Sequence, residues 1–571
     1  MTGAGADVAA VILVVVVTVG IGVYGLRLAR TTSDFMVASR AVSPLWNASA
    51  ISGEYLSAAS FLGVAGLVLV YGADMLWYPV GFVAGYLVLL LLVAAPLRRS
   101  GAYTIPDFAE VRLGSQAVRR LCSLFVVAIG LLYLVPQLQG AALTLRAATG
   151  APAWIGAVLV AVVVVVNVAG GGMRSATFVQ AFQYWLKLTA LGVPAILLVL
   201  AWQGDGAPRV TGPAGPVFRQ TTAVHLDTGV HLEVREVVDV QVRGGPAPGP
   251  RTLAAGPARL EGGTTVLFPA GAAVPQVAGT TASSGSSWAA PLSGAGGRGH
   301  PLYATYALVL ATFLGTMGLP HVLVRFYANP DGGAARRTTL VVIGLLGVFY
   351  LLPALYGFLG RLYTPELLLT GDTDAVVLTL PAALVGGTTG QLLEALLVAG
   401  AFAAFLSTSS GLLVSTAGVL VQDVLGGSVR DFRRATVLAA AVALLLALLA
   451  EGRPVGQVVG LAFAVAASTF CPLLVLGIWW RGLTAPGAAA GLVAGGGLAA
   501  VATLATILGL VDGGWAEVLL AQPAAWTVPT AFAVMVTVSL ATRSRVPADV
   551  GRTMLALHAP EQLGLATARR V

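Results

Sequence analysis

Polar residues interrupt a long apolar run at 47–63. Gly53, Glu54, Ser57 and Ser60 stand near the middle of this run. In lipid, every backbone amide and carbonyl needs a partner inside the protein, so an interrupted helix is tolerated only where it lines a cavity or is buried. We therefore expect the interruption to mark a site where freed backbone groups and hydroxyls hold a small polar ligand.

A second interruption, at 312–327, contains Gly315, Gly318 and Pro320. The two interrupted runs each open a set of five predicted membrane spans, and an odd repeat length makes the second set inverted relative to the first. Paired interruptions in matching halves point to a binding site near the middle of the membrane. Kinked helices packed through small residues are the simpler explanation of either break alone, but two breaks in register favour a site.

Four consecutive hydroxyl residues, Ser407 to Ser410, lie in another apolar helix. Any one of them more often bonds back to a carbonyl one turn earlier than binds a ligand. Hydroxyl and carbonyl oxygens are nevertheless what a small hard cation prefers. Ser407 and Thr408 can supply such oxygens opposite free carbonyls of the first interrupted run.

These segments belong to a chain that is suited to a lipid bilayer. Of its 571 residues, 57% are hydrophobic and 10% are charged, whereas a soluble domain is about 25% charged. The mean hydropathy is +0.88, and apolar runs of about 20 residues, enough to cross the hydrocarbon, recur throughout. A water-soluble fold is excluded. The net charge of +8 comes from arginines in short loops, so nucleic acid is not an expected partner.

We predict about thirteen spans, numbered 1 to 13 in chain order: 8–28, 47–71, 75–96, 119–146, 152–172, 178–203, 302–328, 338–362, 390–422, 434–451, 456–480, 485–511 and 523–542. Arginines concentrate in alternate loops, which are expected to face the cytoplasm. The pattern predicts a plasma-membrane protein with its N-terminus outside and its C-terminus inside.

Residues 204–301 break this pattern and separate the helices of 1–203 from those of 302–542, which a tail at 543–571 follows. Alternating apolar and polar residues within 224–243 predict strands and a hairpin. We expect a small β-rich external insert with a flexible end near 279–299. Three of its side chains resemble metal ligands, although a solvated strand face is the favoured interpretation: His225, Glu233 and Glu236.

Several long segments resemble the sodium:solute symporter family, and specifically its bacterial acetate (short monocarboxylate) permease branch. They are Gly53-Glu-Tyr-Leu-Ser-Ala-Ala-Ser-Phe-Leu-Gly63, Thr104-Ile-Pro-Asp-Phe-Ala-Glu-Val-Arg112, Gly171-Gly-Met-Arg-Ser-Ala-Thr-Phe-Val-Gln-Ala-Phe-Gln-Tyr-Trp-Leu-Lys187, Met317-Gly-Leu-Pro-His-Val-Leu-Val-Arg-Phe326 and Val459-Gly-Leu-Ala-Phe-Ala-Val-Ala-Ala-Ser468. The resemblance implies an inverted five-helix-repeat core like that of the leucine transporter, with repeats in 47–203 and 302–480. It also implies Na⁺-coupled uptake by alternating access.

The resemblance further implies a sodium site. The family's ligands correspond here to the backbone carbonyls of Gly53, Leu56 and Ala404 and the hydroxyls of Ser407 and Thr408. No cofactor is implied besides Na⁺ as the coupling ion.

One position departs from the family pattern. Many members carry an acid where Tyr55 stands, whereas here the acid is the neighbouring Glu54. An acid inside the membrane is costly and usually functional, so Glu54 could couple transport to protons. The favoured alternative is that Glu54 hydrogen-bonds the unwound backbone and shapes the break.

A carboxylate substrate requires exposed amides at the start of a half-helix, where the helix dipole favours an anion. The predicted substrate-binding residues are Ser57, Ala58, Ser60, Tyr133, Gln137 and Thr316. His321 and Arg325 lie one turn apart on one face of span 7 and could attract the anion or act in gating. Arg325 could equally extend toward the inner membrane surface.

Other ionisable residues are interpreted as structural. Lys187, the chain's only lysine, and Glu394 stand near predicted span ends, where solvation at the interface is expected. Asp107 and Glu110 are expected to pair with Arg112 or to cap helices.

The sequence leaves the solute and the ion open. A Na⁺-coupled symporter of a short monocarboxylate such as acetate is the main hypothesis, with proton coupling, or a sugar or amino acid as solute, as alternatives. A membrane sensor is disfavoured because its signalling module would need a cytoplasmic tail much longer than the predicted one at 543–571. A membrane enzyme is disfavoured because the spans contain no nucleophile elbow, phosphate loop or acid–histidine cluster.

Overall fold

The computed structural model describes residues 3–28, 43–209, 215–278, 286–290, 292, 300–425, 428–449, 455–511, 513–560 and 563. Long helices account for most of this part of the chain, and strands occur only between residues 222 and 277 of it. Its length and apolar composition make the chain a multi-pass membrane protein.

Each predicted span has a helical counterpart. Span 1 is Gly3–Leu28; span 2 is Pro44–Tyr55 followed by Ala59–Gly63 and Val64–Tyr71; span 3 is Trp77–Val88, Leu89–Val93 and Ala94–Arg99; span 4 is Gln116–Thr149; spans 5 and 6 lie in Ala153–Gly204; span 7 is Pro301–Gly318 and Pro320–Phe326; span 8 is Gly332–Tyr363; span 9 is Gly387–Leu420 with Val421–Leu425; span 10 is Val429–Leu449; span 11 is Val455–Trp479; span 12 is Ala485–Gly491, Leu492–Gly496 and Gly497–Ile507; span 13 is Ala524–Ala541.

Shorter helices connect the spans. They are Gly72–Leu76, Ile105–Leu113, Ser286–Ala289, Leu367–Thr370, Thr373–Ala375, Val376–Leu384, Gly514–Ala521, Arg543–Arg545 and Val550–His558.

The described part of the chain has fewer helices that are long and apolar enough to cross a membrane than the thirteen spans predicted. Among the described residues, 11 helices qualify, or up to 12 if the bent pair in span 7 is one span. The difference from thirteen arises at Ala59–Arg99, which is counted once although it holds both the second half of span 2 and span 3. The chain turns between them at Gly72, whose φ of 73° favours a residue without a Cβ.

The loop predicted between spans 5 and 6 is wrong, because Ala153–Gly204 is one continuous helical run. Glycines at 170–172 lower the helix propensity. They do not end the helix, although the chain there passes from one apolar membrane segment, Ala153–Gly170, to the next, Ser175–Gly204.

Both predicted interruptions are present. Span 2 leaves helical geometry at Leu56, where ψ is 87°, and resumes at Ala59. Span 7 leaves it at Leu319, where ψ is 115°, and resumes at Pro320 with a bend of 45°. An extended residue before a proline is the expected geometry, because the proline ring disfavours the helical conformation of its predecessor.

Span 9 lies at the centre of the bundle. All residues of an 18-residue apolar stretch in span 9 are buried inside the protein, whereas only 28% of the residues in the corresponding stretch of span 1 are buried. Span 9 packs against span 4 and against the helix that carries spans 5 and 6. Its hydroxyl residues therefore face protein rather than lipid.

The predicted β-rich insert consists of two antiparallel sheets. Its strands are β1 (Thr222–Leu226), β2 (Val230–Val234), β3 (Val238–Arg243), β4 (Gly249–Leu253), β5 (Gly256–Leu260), β6 (Thr264–Phe268) and β7 (Gln276–Val277). The sheet orders are β1-β6-β3-β4 and β5-β2-β7. Alternate side chains are buried along β3, as the sequence alternation predicted.

The suggested metal ligands of the insert do not form a cluster. Throughout the described ranges there is no group of three His, Cys, Asp or Glu side chains placed to hold a metal ion. His225 instead contacts Thr265 and Asp227 on the sheet surface. Most of the predicted flexible end, 279–299, lies outside the described residues.

The segment that follows the sheets returns to the membrane helices at Trp288. Its indole nitrogen donates to the carbonyl of Leu69 in span 2 at 3.1 Å. The guanidinium of Arg361, in span 8, lies 4.6 Å from the indole ring centroid and donates to the same carbonyl. Trp288 therefore joins the insert to two spans at once.

Candidate functional site

The predicted sodium ligands converge on one point, and the ammonium of Lys187 lies at that point. Lys187 donates to the carbonyl of Gly53, to the carbonyl of Leu56 at 2.7 Å and to the hydroxyl of Ser407 at 2.6 Å. Lys187 is fully buried. The interpretation of Lys187 as an interfacial residue is therefore wrong.

The other two predicted ligands flank this point. The hydroxyl oxygen of Ser407 lies 2.7 Å from the carbonyl oxygen of Gly53 and 3.0 Å from that of Ala404, so its one hydrogen is shared between two acceptors. The hydroxyl of Thr408 donates to the carbonyl of Glu54 at 2.6 Å and so satisfies another backbone group of the break. The unwound backbone of span 2 is thus bound by hydroxyls of span 9 and by the lysine of span 6.

Glycine at position 53 permits this close packing. A Cβ there would collide with the carbonyl of Gln180 in span 6. The side chain of Gln180 donates to the carbonyl of Ser407 at 2.9 Å. The backbones of spans 2 and 6 therefore approach each other closely at Gly53, and the side chain of Gln180 links span 6 to span 9.

Glu54 and Arg325 form a buried ion pair between the two interrupted spans. The guanidinium donates to the carboxylate at 2.8 Å, and both side chains are 1% exposed. Arg325 also donates to Thr177 at 2.6 Å and to Gln180. Arg325 does not extend toward the membrane surface. The main partner of Glu54 is this guanidinium rather than the unwound backbone.

One face of span 4 contacts both breaks. The side-chain oxygen of Gln137 accepts the amide of Ala58, in the break of span 2, at 2.9 Å. One turn earlier, the ring of Tyr133 meets the ring of His321, just after the break of span 7, with centroids 5.4 Å apart. Tyr133, Gln137, Ala58 and His321 therefore line a common region.

Several buried polar atoms in this region have no hydrogen-bond partner among the described residues. They include both ring nitrogens of His321, the hydroxyl of Tyr86 and one carboxylate oxygen of Glu54. Unpaired buried polar groups are uncommon, because each costs desolvation free energy, and they often mark functional sites.

Ser60 and Thr316 are paired with tyrosines of neighbouring spans. The hydroxyl of Ser60 hydrogen-bonds that of Tyr350 at 2.8 Å, and the hydroxyl of Thr316 hydrogen-bonds that of Tyr55 at 2.7 Å. Tyr55 also packs edge to face against Tyr86, with centroids 5.0 Å apart. Ser60 and Thr316, both predicted to bind substrate, thus fix the positions of the tyrosine side chains beside the breaks.

Sequence reasoning missed three residues that complete the site: Lys187, Gln180 and Thr177. All three lie in the helix Ala153–Gly204, on one side of it, with one turn between 177 and 180 and two turns between 180 and 187. The polar stripe was visible as a signal, because amide and hydroxyl side chains recur on one side of an otherwise apolar helix.

The acidic pair before span 4 does not pair with Arg112, but Asp107 caps a helix as the other prediction had it, since it accepts the amide of Tyr103 at the start of Ile105–Leu113 at 3.2 Å. Asp107 and Glu110 both form ion pairs with Arg119. Arg112 instead donates to the carbonyls of Gly477 and Trp480 at the end of span 11. A buried guanidinium satisfies free helix-end carbonyls well because it offers five donors.

A known family model matches this chain over residues 35–207 and 298–495, which include most of the helices described above. Its description is "Sodium:solute symporter family". The chain belongs to the sodium:solute symporter family. It is therefore a Na⁺-coupled solute symporter in a membrane, and a transporter rather than an enzyme.

Two similar proteins agree with this assignment. The "Uncharacterized symporter YwcA" of Bacillus subtilis (strain 168) is 29% identical over 493 residues, covering 84% of this chain and 82% of the relative. A Na⁺-coupled sialic acid symporter, solved in a substrate-bound outward-open state, superposes with a TM-score of 0.61 at 13% identity and covers 94% of this chain and 97% of its own. The superposition confirms the predicted leucine transporter-like fold.

Proposed function

We propose that this family member carries a short monocarboxylate such as acetate into the cell, together with Na⁺, by alternating access. The observation that carries the proposal is the convergence of both helix breaks on one face of span 4, through Gln137 and Tyr133. A carboxylate placed there would meet amides at the start of a half-helix and the single N–H of the His321 ring, which are groups able to donate hydrogen bonds to an anion.

The surroundings favour a small solute. Aromatic rings of Tyr55, Phe82, Phe463 and Tyr350 pack against one another beside the breaks, with Phe82 and Phe463 centroids 5.0 Å apart. Ligand pockets of this kind combine apolar walls with a few polar groups that fix orientation. A short carboxylate suits such a setting better than a sugar, whose many hydroxyls each need a partner.

The predicted residues divide into two roles under this proposal. Ser57, Ala58, Tyr133, Gln137 and His321 face the solute. Two others, Ser60 and Thr316, hold the tyrosines that shape the site, because their hydroxyls are already bonded to Tyr350 and Tyr55. The proposal includes the orientation predicted from the arginine pattern, with the N-terminus outside and the C-terminus in the cytoplasm.

The test is uptake of labelled acetate into proteoliposomes with an imposed Na⁺ gradient, compared with a proton gradient alone. We expect the Na⁺ gradient to drive accumulation, and unlabelled propionate and pyruvate to compete while glucose and alanine do not. Acetate uptake no faster than in protein-free liposomes would contradict the monocarboxylate assignment. Accumulation driven by protons alone would contradict the ion assignment.

A variant of the break provides a second test. Ser57→Leu places an apolar side chain where the carboxylate is expected, so acetate binding to the purified protein should be lost. Leu124→Ala is the matched control, because Leu124 belongs to span 4 but is 63% exposed on its outer side. Equal acetate binding by Ser57→Leu and the wild type would exclude this location.

A further inference from the structure

The ammonium of Lys187 binds oxygens that the family resemblance assigns to a sodium ion. A lysine ammonium has three N–H donors and no acceptor. Three oxygens receive them here, namely the carbonyls of Gly53 and Leu56 and the hydroxyl of Ser407. All three belong to the predicted sodium ligands, so the side chain uses the same oxygens that would coordinate the ion.

The atoms that contact this ammonium are neutral dipoles rather than carboxylates. Within the described part of the chain, no carboxylate lies at ion-pair distance from Lys187, and the neighbouring Glu54 is paired directly with Arg325. Carbonyl and hydroxyl oxygens that surround a positive charge form a site for a monovalent cation. These oxygens therefore suit a cation, and the cation that they bind in this structure is the ammonium of Lys187.

We propose that the ammonium of Lys187 is a tethered cation that takes the place of Na⁺ at this site, so that a free Na⁺ ion binds there only after the side chain has left. Two positive charges cannot share these oxygens, because they would lie within a few ångströms of each other in a buried environment. The inference rests on the Na⁺ coupling of the family and is independent of which solute is carried.

A simpler role for Lys187 is to pin the break of span 2 against span 9. Both roles predict that removal of the lysine weakens the protein. They differ in what Na⁺ does afterwards, since only a site that accepts a cation would be refilled by the ion. The experiments therefore measure the response to Na⁺ without any solute present.

The first experiment uses the wild type. Because Lys187 is the only lysine in the chain, full-length protein made with isotope-labelled lysine gives one lysine side-chain NMR signal. Replacing choline chloride by NaCl at constant ionic strength should shift this signal over the concentration range in which radioactive Na⁺ binds. A signal that stays constant while Na⁺ binding saturates would overturn the proposal.

The second experiment removes the charge. In Lys187→Met we expect the Na⁺ affinity, measured by binding of radioactive Na⁺, to rise about tenfold or more above that of the wild type. Adding Ser407→Ala should abolish the gain because it removes one oxygen ligand. Lys187→Arg is the control, since it keeps a positive charge and should show no gain.

Thermal unfolding of the same proteins completes the test. Lys187→Met should unfold at a lower temperature than the wild type in choline chloride, and NaCl should raise its midpoint by roughly 2 °C or more. If NaCl changes neither its midpoint nor its Na⁺ binding relative to the wild type, the lysine only pins the helices. No step uses acetate, so failure here is distinguishable from failure of the monocarboxylate proposal.

Discussion

The break in span 2 and the break in span 7 occupy matching places in the two repeats but differ in how their polar groups are paired. In span 2, Lys187 binds the carbonyls of Gly53 and Leu56, and Gln137 accepts the amide of Ala58. In span 7, by contrast, His321 keeps both ring nitrogens without a partner among the described residues.

This difference shows that inverted repeats can share a backbone deformation and pair its polar groups differently. Several backbone groups freed by the first break are satisfied by side chains of spans 4, 6 and 9, but the hydroxyl of Ser57 there has no partner among the described residues. At the second break, both ring nitrogens of His321 are left without a partner in the same part of the chain. Under the proposed function, the first break therefore serves both the ion and the solute, whereas the second serves the solute.

The largest effect is expected from removing one partner of the ion pair that links the interrupted spans 2 and 7. Arg325→Ala leaves the Glu54 carboxylate buried without its partner, which should cost about 3–5 kcal/mol of the free energy of unfolding. Thermal unfolding of the purified protein measures the loss. The double variant Glu54→Gln/Arg325→Gln removes both charges and should recover part of the stability; no recovery would mean that the pair is not the source of the loss.

His321→Phe tests whether the second break serves the solute. The new ring keeps the contact with Tyr133 and removes both unpaired nitrogens, so acetate affinity should fall by about tenfold, the effect of roughly 1.4 kcal/mol, while thermal stability is unchanged or higher. Isothermal titration with acetate and thermal unfolding measure the two effects. His225→Ala, in the β-rich insert, is the control. A fall in stability without a change in acetate affinity would assign His321 to packing.

Gln137→Leu tests the first break from the side of span 4. It leaves the buried amide of Ala58 without an acceptor, which should cost about 1–3 kcal/mol. The KM for acetate in proteoliposomes should rise, since the half-helix that starts at Ala59 loses its alignment. Leu124→Ala should leave the KM unchanged, and an unchanged KM in Gln137→Leu would separate this amide from solute binding.

The smallest effect is expected from Thr316→Val. The substitution is close in shape and removes one hydrogen bond to Tyr55, worth about 0.5–1.5 kcal/mol. Thermal unfolding should show this loss, and acetate uptake should fall only slightly because Thr316 acts through the tyrosine. A complete loss of uptake in a folded Thr316→Val protein would place its hydroxyl directly on the solute.

Much of the bundle could be predicted from the sequence because membrane physics leaves few alternatives. Apolar runs set the spans, and Gly318–Leu319–Pro320 ends a helix through the known restrictions on the residue before proline. The alternation within 224–243 was likewise enough to predict strands. The glycine-rich stretch near 171 was misjudged as a loop, because helix propensity is a weak guide that the surrounding structure can override.

The site was predictable only as a set of residue types. Ser407 and Gly53 were expected to be neighbours, and they are hydrogen-bonded. The role of Lys187 could not be predicted, because its depth depends on where span 6 begins within the uninterrupted helix Ala153–Gly204. The pairing of Glu54 with Arg325 joins residues 271 positions apart, and a single sequence carries no signal for such a contact.

Trp288 connects the β-rich insert directly to the membrane helices. Its indole is bonded to span 2 and is covered by an arginine of span 8. An alternating-access cycle displaces such helices relative to each other, and a side chain fastened to both must follow one and release the other. Under the proposed alternating-access cycle, we expect an antibody or crosslink that holds the insert in place to lower the transport rate without contacting the solute or the ion.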